Sequence, residues 1–270
     1  MSSAPGSTAS GSTASGGYWS GYDLLWGLDG TRPTRRTTID RAQIVRAAIE
    51  IADRDGLGAV TMRSVAASLG TAPMSLYRHV PDKDALVSMM VDGAIRSSST
   101  DVDQATGQGW RQQLRLVAAS TWRLCRRHRW FPEASLVRPP ITPSGVAGFE
   151  RALSIFDDCE IAIGTKAQFV GAVYSTVIAA ALNATIEESA RSRVQMTEEE
   201  LYAAGAPFVE RVVASGEFPR VSAFIVEAEH LDDETQMHAA VELILDGIAA
   251  RLAALGCGAA GAHRTCPPIG

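Results

Sequence analysis

The stretch "TMRSVAASLGTAPMSLYRHVPDKDAL", residues 61–86, decides the fold. Thr61 can cap a helix start, because its hydroxyl accepts a bond from an otherwise orphaned backbone N–H. Val65, Ala66 and Leu69 recur at helical spacing, and Gly70 stops the run. Pro73 suits the first turn of a second helix, where its missing N–H costs nothing. Pro81 closes that helix at about His79, after roughly two turns. Asp82 can cap a third helix, which carries Leu86, Met89, Met90 and Gly93. Two short helices joined by a tight turn, with small Ala66 and Gly70 at the crossing, form a helix-turn-helix. A buried helix would not bunch Tyr77, Arg78 and His79 together, and a solvated one would not need Leu76 beside them. The second short helix therefore has an external target.

Upstream, Asp40 followed by Gln43 predicts a capping-box start, and Ile44, Ala47, Ala48 and Ile51 give one apolar face. Gly56, in a left-handed C-terminal position, ends that helix. Residues 40–96 thus hold four helices. Before them, residues 6–15 repeat "GSTAS" twice, a composition that cannot bury apolar area. "YWSGYDLLWGLDG", residues 18–30, then brings Tyr18, Trp19, Tyr22, Leu24, Leu25 and Trp26. It is either a sticky tail or an anchor in which Leu24–Trp26 dock on the folded body, with the C-terminal part the favoured surface and residues 1–17 disordered. The basic linker "TRPTRR" follows at 31–36, with Arg32, Arg35 and Arg36 able to reach phosphate or the minor groove. Downstream the pattern is also helical, over 109–129, 144–158, 165–192, 198–215 and 233–255, with a shorter piece near 220–229. Breaks fall at Pro132, Pro139-Pro140, Gly164 and residues 216–219. No alternating strand pattern of useful length occurs. The chain is all-α: a flexible extension over 1–37, a helix-turn-helix domain over 38–98, a larger helical bundle over 104–256 and a disordered tail over 257–270.

A chain of 270 residues with 46% hydrophobic and 20% charged residues has the balance of a soluble globular protein. Its net charge of −5 argues against a nucleic-acid binder until it is divided: residues 31–96 carry +3 and the rest −8. Such asymmetry points to an anionic partner for one part only. Cys125, Cys159, Cys257 and Cys266 form no CxxC pair and are expected as reduced thiols in the cytosol. No signal peptide is expected, since the N-terminus lacks a basic start and an apolar core. The most apolar run, residues 171–184, falls short of the roughly 20 residues that span a bilayer.

Residues 38–86 resemble the DNA-binding domain of the tetracycline-repressor (TetR) family. The helix lengths, the Gly56 and Gly70 positions, "SLYRHV" and the Lys83 just past it agree in one order. The C-terminal half is similar to that family's ligand-binding and dimerisation domain in helix pattern and length. The resemblance implies a homodimeric, ligand-responsive repressor on a near-palindromic operator, located in the cytoplasm. Recognition helices place their N-terminal residues at base edges in the major groove. Pro73, Met74, Ser75 and Arg78 are the candidates here, with Arg78 suited to bidentate reading of guanine and Pro73 or Met74 to thymine methyls. Tyr77, His79 and Lys83 fit phosphates, which position the protein without reading sequence. Thr61 sits where backbone N–H groups favour a phosphate. Arg63 matches a family position that reaches a base. Other roles stay open for four of them: Tyr77 as core packing with its hydroxyl outward, and His79, Arg78 and Arg63 as plain solvated side chains.

Elsewhere the residues argue for less. His230, Asp232, Asp233, Glu234 and His238 could ligate a metal, but acidic residues at a helix start interact well with its dipole. No metal and no cofactor is expected. "RLCRRHRW", residues 123–130, is expected as the exposed end of an amphipathic helix with Trp122, Trp130 and Phe131 inward. No nucleophile lies beside a base, and no phosphate-cradling glycine motif occurs, so no enzyme is expected. Trp122, Phe149, Phe156, Phe169, Tyr174 and Asn183 are candidates for lining a ligand cavity, or for ordinary core. By the resemblance, helices near 165–192 and 233–255 pair across a two-fold axis, and no membrane partner is implied. The alternative function is a helical small-molecule-binding protein or enzyme whose N-terminal bundle is only structural.

Overall fold

The computed structural model describes residues 16–27, 39–98, 108–137, 141–194, 196–228 and 231–257. The basic linker with Arg32, Arg35 and Arg36, the Pro139-Pro140 break, His230 and Cys266 lie outside the described residues. Every regular element among the described residues is helical. The chain divides into two compact units, residues 1–104 with 133–152 and residues 105–132 with 153–270.

The first unit begins with α1 (Gly16–Leu25), inside the extension expected to be flexible. Its tertiary partner explains the difference, as Gly21 meets the backbone of α5 at Ala85. Helix α2 (Arg41–Asp55) starts on the expected capping box, Asp40 accepting from the Gln43 N–H at 2.7 Å and Gln43 from the Asp40 N–H at 2.9 Å. It buries Ile44, Ala47, Ala48, Ile51 and Ala52, and Gly56 closes it at φ +83°. The Gly56 ψ of 165° is extended, so this glycine takes a conformation reserved to glycine and not the left-handed helical one expected. A 3-10 turn (Leu57–Ala59) leads to α3 (Met62–Ser68), α4 (Pro73–Leu76) and α5 (Lys83–Ser98). Asp82 caps α5, accepting from the Ala85 N–H at 2.7 Å. Eight consecutive residues of α5, Ala85 to Asp92, are buried. A helix covered on every face needs neighbours on every side. Helices α2 and α1 supply them: a Cβ on Gly93 would meet Val45, and one on Gly21 would meet Ala85.

Chain continuity carries α7 (Phe131–Val137) and α8 (Pro143–Ser154) across the boundary between the units. Pro132, expected as a break, stands in the first turn of α7, where a proline is tolerated.

The second unit contains α6 (Trp110–Arg127), α9 (Ile163–Val194), α10 (Glu198–Ser215), α11 (Pro219–Glu227) and α12 (Asp233–Ala254). Helix α9 packs on α6 and on α12. Leu114, Ala118 and Trp122 of α6, Val173, Val177 and Ala181 of α9, and Met237, Val241 and Leu245 of α12 are all buried. The Phe156 ring lies 6.1 Å from Trp110 and 5.5 Å from Phe169. Arg115 grips the Glu242 carboxylate with both ends of its guanidinium, at 2.5 and 2.8 Å, and Arg111 pairs with Asp246. The apolar run 171–184 lies within the 32 residues of α9, which is long and apolar enough to cross a membrane by length and composition. Its buried face is occupied by α6 and α12. Cys159 and Cys257, read in the sequence as reduced thiols, are joined as a disulfide with their Cα atoms 5.8 Å apart, within the usual span. They stand 98 residues apart, so only the fold shows that they meet. Cys125 is a free, buried thiol.

Candidate nucleic-acid interface

Local chemistry fixes the interface before any partner is considered. The Thr61 hydroxyl accepts from the Ser64 N–H at 2.9 Å, and the Ser64 hydroxyl accepts from the Thr61 N–H at 2.9 Å. Thr61 is therefore the expected cap of α3. Its own hydroxyl and amide are engaged in the cap, so a direct phosphate bond from them would compete with the helix start. Helix α3 ends in a Schellman arrangement: the Gly70 N–H donates to Ala67 O at 3.1 Å, and the Thr71 N–H to Ala66 O at 3.0 Å. This needs a left-handed residue, and Gly70 supplies it at φ +63°. The turn between α3 and α4 is thus set by one glycine.

Helix α4 starts without a side-chain cap, Ala72 standing at the N-cap and Pro73 at the first helical position. It is shorter than expected. Regular helix stops at Leu76, and residues 77–79 continue as a turn in which the His79 and Val80 N–H groups both donate to Leu76 O, at 2.8 and 2.9 Å. Pro81 cannot continue the ladder, so the turn tightens ahead of it. Leu76 and Val80 are fully buried and pin the segment to the core. Arg41 of α2 holds its end, donating from Nε to His79 O at 3.1 Å.

Six of the nine candidate contact residues are exposed. Met74 is 74% exposed and Tyr77 46%; Arg78, Arg63, Thr61 and Lys83 are exposed, while Pro73, Ser75 and His79 are half-buried. Thr61, Arg63, Pro73, Tyr77 and Lys83 line one open depression of about 450 Å³, together with Met62. The Lys83 ammonium lies 3.5 Å from Leu57 O at its edge. Met74 and Arg78, though exposed, are outside this lining. The depression is cationic through Arg63 and Lys83 and faced by one aromatic ring, a surface able to seat an anionic backbone.

The candidate cavity residues are not brought together as a set. Trp122, Phe156 and Phe169 are buried in the second unit and Tyr174 is half-buried there. Asn183 is exposed on α9, and Phe149, 45% exposed on α8, belongs to the first unit. Around residues 123–130, Arg126 and Arg129 bind Glu188 of α9 at 2.6 and 3.0 Å, and Arg126 lies 5.9 Å above the Trp122 ring. Trp122, Trp130 and Phe131 face inward as expected. Asp232 is taken by the N-cap of α12, accepting from the Thr235 N–H at 2.8 Å, and this bond holds its carboxyl below the usual range. One polar residue that sequence reasoning missed is Asp92. Buried on α5, it accepts from the Ser144 N–H at 2.8 Å in the first turn of α8. A buried carboxylate needs such a partner. The two residues are 52 apart in sequence, so no local signal could have paired them.

Comparison with known proteins agrees with this geometry. Residues 44–90 match the model of bacterial regulatory proteins of the tetR family, and residues 104–252 that of the tetracyclin repressor-like C-terminal domain. The chain is 36% identical over 231 residues to the HTH-type transcriptional repressor DrrR1 of Streptomyces coeruleorubidus, spanning 84% of this chain and 83% of that protein. Among solved structures, ActR of Streptomyces coelicolor in complex with (S)-DNPA superposes with a TM-score of 0.65 at 23% identity, covering 80% of this chain and all of that one. A single-site variant of TetR from Acinetobacter baumannii, in complex with minocycline, gives 0.56 at 18% identity, covering 81% and 98%. With two family models spanning both halves and a repressor relative along most of its length, the chain belongs to the TetR family of helix-turn-helix transcriptional regulators.

Proposed function

We propose that this chain is a homodimeric repressor that leaves its operator when a small molecule binds the second unit. The observation that carries the DNA-binding surface is α4: Leu76 and Val80 are wholly buried while Met74 and Arg78 stay exposed beside a cationic depression. Arg78 reads guanine, and Met74 with Pro73 and Ser75 contacts neighbouring base edges. Tyr77, His79, Lys83 and Arg63 hold the phosphates that set register, and Thr61 fixes the first turn of α3. The reading includes no catalytic step and places the protein in the cytoplasm with its DNA.

The homodimer is supported by two unpartnered faces. On α9, Ala172, Ser175, Ala179, Asn183, Ile186 and Ala190 are exposed at three- and four-residue steps, opposite the buried face. On α12, Ala239, Leu243, Gly247, Ala250 and Ala254 repeat the pattern, and Leu243 is 74% exposed. Small residues let helices from two copies approach closely and pack as a four-helix bundle. Phe208, Phe224 and Val226 on α10 and α11 are each at least 70% exposed, an apolar area that a lone soluble chain rarely shows.

The effector site is assigned to the aromatic cluster of the second unit, around Trp110, Phe156 and Phe169, with Trp122 and Tyr174 nearby in sequence and on the same helices. ActR has been solved with (S)-DNPA and with actinorhodin, and the Acinetobacter TetR variant with minocycline. The rings of this cluster favour an aromatic organic effector, which could stack on them. Release follows if the effector prefers a dimer whose recognition helices miss the ~34–36 Å spacing of successive major grooves. Selection of bound sequences from random DNA tests the reading, followed by screening aromatic compounds for release. Enrichment of a near-palindrome supports it, and recovery of unenriched sequence contradicts it.

A further inference from the structure

Helix α1 lies ahead of both family-model matches, which begin at residues 44 and 104, yet it packs more closely on the DNA-reading unit than any tail needs to. A Cβ placed on Gly21 would stand 2.7 Å from the Ala85 Cα and 3.0 Å from the Ser88 Cβ of α5. The first of these neighbours is backbone and cannot swing aside, so the contact requires glycine. Tyr22, one residue on, is 5% exposed. The helix ends at Leu25, Gly27 turns the chain at φ +67°, and Trp26 Nε1 donates to Ile141 O at 2.8 Å, just ahead of α8. From the other side, Asp92 of α5 accepts from the Ser144 N–H in the first turn of α8, and Thr142 Oγ1 accepts from the Gly145 N–H at 3.1 Å. Helices α1, α5 and the head of α8 are therefore tied pairwise. Helix α8 runs by chain continuity into the second unit at Leu153.

We propose that α1 is a strap that splints α5 to the first turn of α8 and so sets the pose in which the helix-turn-helix is presented to an operator. Trp26 and Gly21 are positioning residues in this device. Residue 21 permits the close approach along α5, and Trp26 pins the far end to the segment through which the second unit continues. The strap rests on the DNA-binding reading for its consequence but not for its geometry.

The test uses the full chain with Gly21→Leu and, separately, Trp26→Phe, which keeps an aromatic ring and removes the N–H donor. Amide hydrogen exchange is followed without DNA. Binding is then measured to a duplex with both half-sites and to one with a single half-site. For Gly21→Leu, exchange at Ser144 and Gly145 should accelerate about tenfold while the amides of α3 stay unchanged, the signature of local and not global opening. Affinity for the two-half-site duplex should fall about tenfold, and for the single half-site by less than about twofold, because only the paired site depends on pose. Trp26→Phe should accelerate Ser144 exchange about threefold, and it decides the matter alone if Gly21→Leu does not fold. Unchanged exchange at Ser144 and Gly145 overturns the strap. So does an equal loss on both duplexes, which would make α1 a mere stabiliser. Wild-type protein that binds neither duplex overturns the DNA-binding reading, and the exchange measurement still decides the strap.

Discussion

Arg78 and Lys83 are separated by five positions and by what they are expected to do. Arg78→Ala should weaken specific binding by about 1–3 kcal/mol and relax preference at one base pair, measured by titration of single-substituted operators. Equal losses on operator and random DNA would reassign Arg78 to phosphate. Lys83→Ala should weaken all sequences alike and make the salt slope shallower by roughly one unit; an unchanged slope removes Lys83 from the interface. The exposure of both side chains is legible in the sequence because this segment is local: Pro73, Gly70 and Pro81 punctuate it, and buried Leu76 and Val80 leave few ways for the others to point. The tie from Asp92 to the Ser144 backbone is not legible, since the two lie 52 residues apart, whereas its looser pair with Arg96 at 3.7 Å is a local four-residue step. Asp92→Ala should take the charged acceptor from that half-buried N–H, costing about 1–3 kcal/mol by denaturant unfolding. Cys125 is free, as the sequence suggests, and burial pushes its thiol up to about 12. It should resist thiol reagents at neutral pH in the native protein and react once unfolded, because only the thiolate is the nucleophile.

Helices announce themselves where their ends carry local chemistry. The span 198–215 is legible in full because Thr197 and Glu200 form a capping box and Gly216 ends it at φ +68°. Helix α7 is hidden because Pro132 reads as a breaker, when a proline in a first turn breaks nothing. Helix α1 is half-legible. The Trp26 indole does bond Ile141, within the 104–256 span favoured from sequence, but α1 as a whole packs along α5, a surface the sequence did not single out. In the second unit, the Arg115 guanidinium bonded to Glu242 holds that carboxyl below its ordinary range, aided by Arg111 and opposed by desolvation. A depressed carboxylate stabilises the fold above its unfolded pKa and loses that contribution as pH falls through the folded one. The α6–α12 link should therefore be intact above the ordinary carboxylate range and fade as pH falls below it. Thermal unfolding should lose less stability on acidification in Glu242→Gln than in the wild type. The effect is small because Glu242 is 40% exposed. On the outer faces, Leu243→Glu should convert the dimer to a monomer in sedimentation and abolish tight operator binding. A dimer that survives would move the interface elsewhere.

At the scale of the whole molecule, a net charge of −5 conceals a basic N-terminal segment, and the chain divides into two compact units, to which the proposed function assigns DNA reading and effector sensing. A helical protein with a purely structural N-terminal bundle would share the composition, the helix pattern and the aromatic cluster. It would not share the response to salt, because only phosphate contacts release counterions. The direct test is the affinity of the full chain for its selected operator and for random duplex, between about 50 and 200 mM salt. The account predicts a steep linear fall of log affinity with log salt on both, with the operator held at least ~10³-fold tighter than random duplex. A flat salt response, or equal affinity for the two duplexes at every salt concentration, would contradict it.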